Sequence, residues 1–324
     1  MRAVIGALGA LVLSVGAAEA FQPAIIFDMG GKFDKSFNES AFRGAERFRQ
    51  ETGIAYLEFE ISNEAQREQA LTRMASRGAD VVVGVGFGFT SPLQNVAAEF
   101  PDTQFVIIDS VVELPNVRSV VFEEHEGSFL VGMAAAMASE TGTIGFVGGM
   151  DIPLIRNFRH GYAQGAEYVD PDIELIANMT GDTPAAWNDP TKGAELAKSQ
   201  FDRGADVVYH AAGGTGLGVL QAAADAGKLG IGVDSNQNYL HPGNVLTSMI
   251  KRVDVAVYNA FRDAMNGELE GGLMSLGLAE DGVGYALDDF NRELLTAEMQ
   301  AAIEDARARI VAGDLVVEDY YSTQ

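Results

Sequence analysis

Short apolar runs alternate with stretches in which apolar residues recur every three or four positions, and this alternation continues for most of the chain. The runs Ala24–Phe27, Ala55–Ile61, Val81–Val85, Phe105–Ile108 and Val117–Phe122 read as strands. So do Thr143–Val147, Ile173–Ala177, Val207–Tyr209 and Ile231–Val233. Between them, Glu64–Arg77, Ser91–Phe100, Glu124–Thr141, Thr191–Arg203 and a segment ending at Ala226 carry the helical period. After the first strand the stripe Phe37, Ala41, Ala45, Phe48 predicts a further helix. Strand–helix alternation of this kind predicts an α/β protein whose parallel sheets are covered by helices on both faces.

An internal repeat indicates how many sheets to expect. Arg77-Gly-Ala-Asp-Val-Val-Val83 returns as Arg203-Gly-Ala-Asp-Val-Val-Tyr209, 126 residues later, and each copy runs into a glycine-rich loop, Gly84–Gly88 or Gly213–Gly218. Two similar lobes explain this better than coincidence. The chain is expected to pass between them near Val117–Glu123, near Ser248–Val253 and again near Gly271–Leu278. That division gives a first lobe of residues 21–120 plus 253–271 and a second of 121–252 plus 272–324. Asp254–Gly267 and Thr296–Ala312 read as helices, and Asp314–Tyr321 as a short terminal strand. No Pro- or Ser-rich tether joins the lobes, so hinge strands are expected, with a cleft that can close around a ligand.

Composition narrows the setting. Residues 1–20 read as a signal peptide: Arg2, an apolar run Ala3–Gly16, and a small-x-small site at Ala18-Glu19-Ala20. Export, with a soluble mature chain, is the expectation. The sequence contains no cysteine, which excludes disulfides, thiolate chemistry and lipid attachment to an N-terminal cysteine. Against 46 acidic residues stand 22 Lys plus Arg, a net charge of −24, so a nucleic-acid partner is not expected.

Candidate chemistry gathers at the strand ends. Asp28, Asp109 and Asp234 each terminate an apolar run. Such carboxylates accept hydroxyl or ring N–H donors at roughly 1.5–3 kcal/mol each, or else cap the helix that follows. The first loop adds a flat ring, Phe37, and a bidentate amide, Asn38, while Asp34 or Ser36 can cap the next helix. In parallel sheets this edge is where ligands sit. The loop containing Gly213 and Gly214 lacks the Lys-Ser/Thr of a P-loop, which leaves close backbone approach to a sugar as the milder reading. Trp187 stands in the polar stretch Thr180–Pro190, suited to stacking on a ligand ring or to surface packing. Lys251 ends the run Val245–Ile250, where it can donate to a hydroxyl, pair with Asp234 or be solvated. His125, His160, His210 and His241 have no metal-ligand spacing, and no nucleophile elbow is present, so neither a metal site, a cofactor nor catalytic residues are expected.

Taken together, Asp28-Met-Gly-Gly-Lys-Phe-Asp-Lys-Ser-Phe-Asn38, Trp187-Asn-Asp-Pro-Thr-Lys-Gly193, Ala211-Ala-Gly-Gly-Thr-Gly216, Gly232-Val-Asp-Ser-Asn-Gln237 and Leu246-Thr-Ser-Met-Ile-Lys-Arg252 resemble, in order, segments of the BMP/PnrA-like substrate-binding proteins of ABC transporters. The resemblance runs from about residue 22 to the C-terminus. It implies a two-lobe type I periplasmic binding fold, a purine nucleoside as ligand, and permease and ATPase subunits as partners of a monomer. By motif position, Phe37 and Trp187 would stack on the base, and Asn38 and Asp109 would read its edge. Asp234, Lys251 and the Gly213–Gly214 backbone would hold the ribose, with Asp28 also at the site. A free purine base or riboflavin is the alternative ligand, and an exported nucleoside-processing enzyme is the alternative of another class. Many members of that family are lipoproteins. Without a cysteine, this chain is expected to be a freely diffusing periplasmic receptor.

Overall fold

The computed structural model describes residues 21–323, so the signal reading of residues 1–20 lies outside the described residues. The first lobe is laid down as β1 (Pro23–Phe27), α1 (Phe37–Thr52), β2 (Leu57–Glu60), α2 (Gln66–Ser76), β3 (Val81–Val85), α3 (Thr90–Glu99), β4 (Gln104–Ile108) and β5 (Val117–Phe122). The chain then builds α4 (Glu124–Ala138), β6 (Thr143–Met150), α5 (Pro153–Val169), β7 (Glu174–Gly181) and α6 (Pro190–Asp202). It continues through β8 (Val207–Ala211), α7 (Gly216–Asp225), β9 (Leu229–Asp234) and β10 (Val245–Lys251). Four elements complete it: α8 (Val253–Asn266), β11 (Gly272–Leu276), β12 (Val283–Tyr285) and α9 (Ala297–Ala312).

Two separate sheets result, ordered β11-β5-β4-β3-β1-β2 and β12-β10-β9-β8-β6-β7. Stripped of the late strands β11 and β12, both follow one plan, in which the first strand lies between the second and third. Every pairing is parallel except β10 with β12. Buried on both faces, β1, β3 and β8 read as continuous apolar runs rather than alternating ones, as parallel strands do.

The passages between lobes fall after β5, after β10 and after β11. The sequence division assigned 272–324 to the second lobe, whereas β11 is hydrogen-bonded along β5 of the first sheet from Gly272 to Leu276. The terminal strand expected over Asp314–Tyr321 does not form. That segment lies along α5, and its backbone is bound by side chains (Gln164 to Glu318, Asn157 to Tyr320) instead of by a ladder. At α9 the boundaries agree with local chemistry: Thr296 caps Met299 N–H, and Gly313 closes the helix in the left-handed conformation.

Candidate functional site

The carboxyl ends of the two sheets face one cavity of roughly 600 Å³, counting its mouth. Asp28, Phe37, Asn38, Asp109, Trp187, Gly213, Asp234 and Lys251 all line it. Gly214 does not; it lies behind the wall, against the Trp187 carbonyl and Asn188. Residues that sequence reasoning passed over also face the cavity, among them Phe87, Leu154, Ile155 and Phe158. The repeat held a signal for Phe87, since it occupies the place of Gly213 in the second copy.

The loop after β1 is shaped by Asp34. Its carboxylate accepts the backbone N–H groups of Ser36, Asn38 and Glu39 at 2.8, 3.0 and 3.1 Å, so Asp34 and not Ser36 is the side-chain cap of α1. Asn38 turns its amide onto the chain, accepting from Asp28 N–H at 3.1 Å and donating to the Asp28 carbonyl at 3.3 Å. The amide expected to read a base edge thus also braces the loop, while Asn38 lines the cavity. Asp28 is likewise engaged, by the Arg67 guanidinium at 2.8 Å. Burial raises its pKa, and Arg67 opposes the shift.

Asp109 and Asp234 occupy equivalent positions at the strand ends, and both adopt left-handed backbone, φ 67° and 63°. For a residue with a Cβ that conformation costs free energy, and it persists where surrounding structure enforces it. Asp234 accepts the Ser36 hydroxyl from the opposite lobe at 2.5 Å. The Ser235 hydroxyl donates to the Ser36 carbonyl, and Gln237 donates to that of Lys35, so a single loop latches the two lobes across the cavity.

Lys251 sits at the hinge with only 1% of its side chain exposed. Its ammonium lies 2.6 Å from Asp109 and 3.0 Å from Glu124, within 5.5 Å of the ring centres of Phe37, Phe122 and Phe158. The sequence reading offered Asp234 as its partner; the direct partners are Asp109 and Glu124. Glu124 went unnoticed because an acid at a helix start reads as an ordinary surface residue. Burial raises the carboxyls of Asp109, Glu124 (to about 7) and Asp234 (to about 6) despite the lysine. Asp34 rises to about 7 for the same reason. A buried cation shared among several acids leaves a cavity rich in acceptors and poor in free cations, which suits a neutral guest that donates hydrogen bonds.

Trp187 lies over Gly149, where a Cβ would meet the indole Cζ3 at 2.1 Å. Phe87 of the first lobe approaches its edge, centroids 6.4 Å apart. Among the described residues no group of three or more metal-binding side chains occurs, and no helix is long and apolar enough to cross a membrane.

Comparison with known proteins places this arrangement. The model of a family described as ABC transporter substrate-binding protein PnrA-like matches residues 21–318. An uncharacterised lipoprotein of Pyrococcus abyssi is 37% identical over 87% of this chain and 73% of its own. An ABC transporter nucleoside-binding protein of Lactococcus lactis is 32% identical over 91% and 88%. A solved ABC transporter solute-binding protein of Aeropyrum pernix superposes with a TM-score of 0.84 at 30% identity, covering 94% of this chain and 96% of that one. The two-lobe type I architecture is therefore that of solute-binding proteins. One expectation is corrected: relatives from three Pyrococcus species are named lipoproteins, which overturns the placement of this chain as an unanchored periplasmic protein.

Proposed function

The chain belongs to the PnrA-like family of ABC transporter substrate-binding proteins, and on that premise we propose that it traps a purine nucleoside between its lobes and presents it to a membrane permease. One observation carries this reading. A single cavity brings together aromatic rings from both lobes (Phe37, Phe87, Phe158, Trp187) and a hinge-side group of Asp109, Asp234 and Lys251. Rings suit a planar base, and the polar group suits a hydroxyl-rich sugar. The name of the Lactococcus lactis relative, a nucleoside-binding protein, supports the same class.

In this mechanism no bond is made or broken. The two sheets move as separate halves on their three connecting passages, and the open form leaves the rings and acceptors on separate walls. A nucleoside that contacts both walls favours the closed form in proportion to its differential affinity for it. The Ser36–Asp234 latch belongs to that closed form.

Calorimetry with inosine, adenosine, hypoxanthine, riboflavin and ribose tests the assignment. Phe37→Ala and Asp234→Ala should each weaken nucleoside binding about tenfold or more, equivalent to ~1.4 kcal/mol, without unfolding the protein. Undiminished binding in both variants would reject the site. Release of free base on prolonged incubation with inosine would instead support a nucleoside-processing enzyme.

A further inference from the structure

Residues 314–323 run beside the ligand cavity. After α9 the tail runs along α5 and is pinned there: Gln164 exchanges hydrogen bonds with the backbone N–H and carbonyl of Glu318, at 2.9 and 2.8 Å. Arg156 donates to the Tyr320 hydroxyl at 3.0 Å, and His160 meets the Tyr320 ring edge-on. Tyr321 then lines a hinge-side opening of about 980 Å³ that shares Asp109 and Leu154 with the ligand cavity.

A continuous chain of hydrogen bonds leads inward from this tail. The backbone N–H of Tyr320 donates to Asn157 Oδ1 at 2.9 Å. Asn157 Nδ2 donates to Glu124 Oε2 at 3.3 Å, and Glu124 Oε1 accepts from Lys251 Nζ at 3.0 Å. Both Asn157 and Glu124 are 2% exposed, so water does not compete for these contacts. An ammonium has three donors. Asp109 and Glu124 take two, and their directions set where the third points.

We propose that the C-terminal tail is a positioning element of the ligand site, acting through Tyr320, Asn157 and Glu124 to hold the Lys251 ammonium with its third N–H directed into the cleft. The consequence is selective. A ligand hydroxyl bound by Lys251 depends on the tail, whereas a stacked base does not. The tail's role thereby deepens the nucleoside reading and rests on it for the affinity test, but not for the test of Lys251 itself.

Two variants of the full-length chain interrupt the relay at different links. Asn157→Asp keeps an acceptor for Tyr320 but replaces the donor to Glu124 with a like charge. Tyr320→Pro removes the tail's N–H. Nitrogen-15 lysine spectra of the ligand-free protein should contain one slowly exchanging ammonium signal, identified by its loss in Lys251→Arg, and both variants should shift or broaden it. Both should also weaken inosine about tenfold, ~1.4 kcal/mol, while hypoxanthine stays within about twofold. An unmoved signal in both variants, or no protected ammonium in the unaltered protein, would overturn the proposal. Equal weakening of both ligands would overturn it too, as the mark of general damage. Should the unaltered protein bind neither ligand, the nucleoside reading fails, and the ammonium signal alone decides the relay.

Discussion

The two lobes are copies of one plan that carry different chemistry at matching points. Strand pairing sets the equivalence. Ala24 pairs with Val82 in the first sheet and Gly145 with Val208 in the second, and Val82 and Val208 are counterparts in the repeat. Counting forward, Asp28 in the first lobe corresponds to Gly149 in the second. The first lobe fills this point with an acid held by Arg67, whose guanidinium lies on Gly88. The second lobe leaves the point bare, and the indole of Trp187 lies there. Likewise Asp109 and Asp234 share position and backbone conformation, yet one pairs with Lys251 and the other accepts Ser36. Duplication supplied a symmetric frame, and small changes of side chain made an asymmetric cavity that can grip unlike ends of one ligand.

Breaking the first-lobe ion pair should have the largest effect on stability. Arg67→Ala leaves a largely buried carboxylate, 14% exposed, without its cation, so urea unfolding should show a loss of about 3 kcal/mol. Adding Asp28→Asn should recover a good part of it, because an amide carries no charge to strand. Little loss in the single variant would mean that the pair is a solvated surface contact.

In the second lobe the sharpest probe is Gly149→Ala. Its new methyl would occupy the indole's place and expel Trp187 from the cleft wall. Nucleoside affinity should fall about a hundredfold, ~2.7 kcal/mol, with a red shift in the fluorescence of the single tryptophan. An unchanged spectrum would show that the two groups coexist.

Acidity distinguishes the lobes less strongly. Asp34 and Glu124 titrate at about 7 and Asp234 at about 6, all above ordinary carboxyl values because of burial. Through these three acids the folded protein binds more protons than the unfolded chain between those values and about 4, so their contribution to stability rises as pH falls through that window, opposed by His210, whose pKa burial lowers to about 4. The melting temperature should accordingly be higher near pH 5.5 than near pH 8, and Asp234→Asn should flatten part of the slope. A melting temperature that falls steadily from pH 8 to pH 5.5 would contradict the buried state of these acids. The smallest effect is expected from Ser36→Ala. It removes one latch contact and should weaken ligand binding by about 1 kcal/mol or less, with no change in melting.

Much of this was legible without coordinates, for local reasons. Parallel strands buried on both faces must be written as apolar runs, and a duplicated lobe must repeat its turn chemistry, so the sheets and the repeat are visible in the letters. The acids Asp109 and Asp234 mark strand ends because the loop conformation there tolerates few other side chains. What was not legible has a cause as well. Asp314–Tyr321 has strand-like composition, but whether an extended segment joins a sheet depends on a free edge nearby. Asn38 has the amide a base would need, and only the fold of its own loop shows that the amide also bonds Asp28.

The sequence by itself determined the fold class, the doubling of the lobe and about half of the cavity-lining residues, since period, turn residues and motif order are properties of neighbours along the chain. Tertiary structure alone decided that Lys251 shares its charge with Asp109 and Glu124, that Ser36 reaches Asp234, and that Tyr320 and Tyr321 lie beside the hinge. Those contacts join residues more than a hundred positions apart. Their strength depends on burial and direction, which come into being only when the two sheets close on one another.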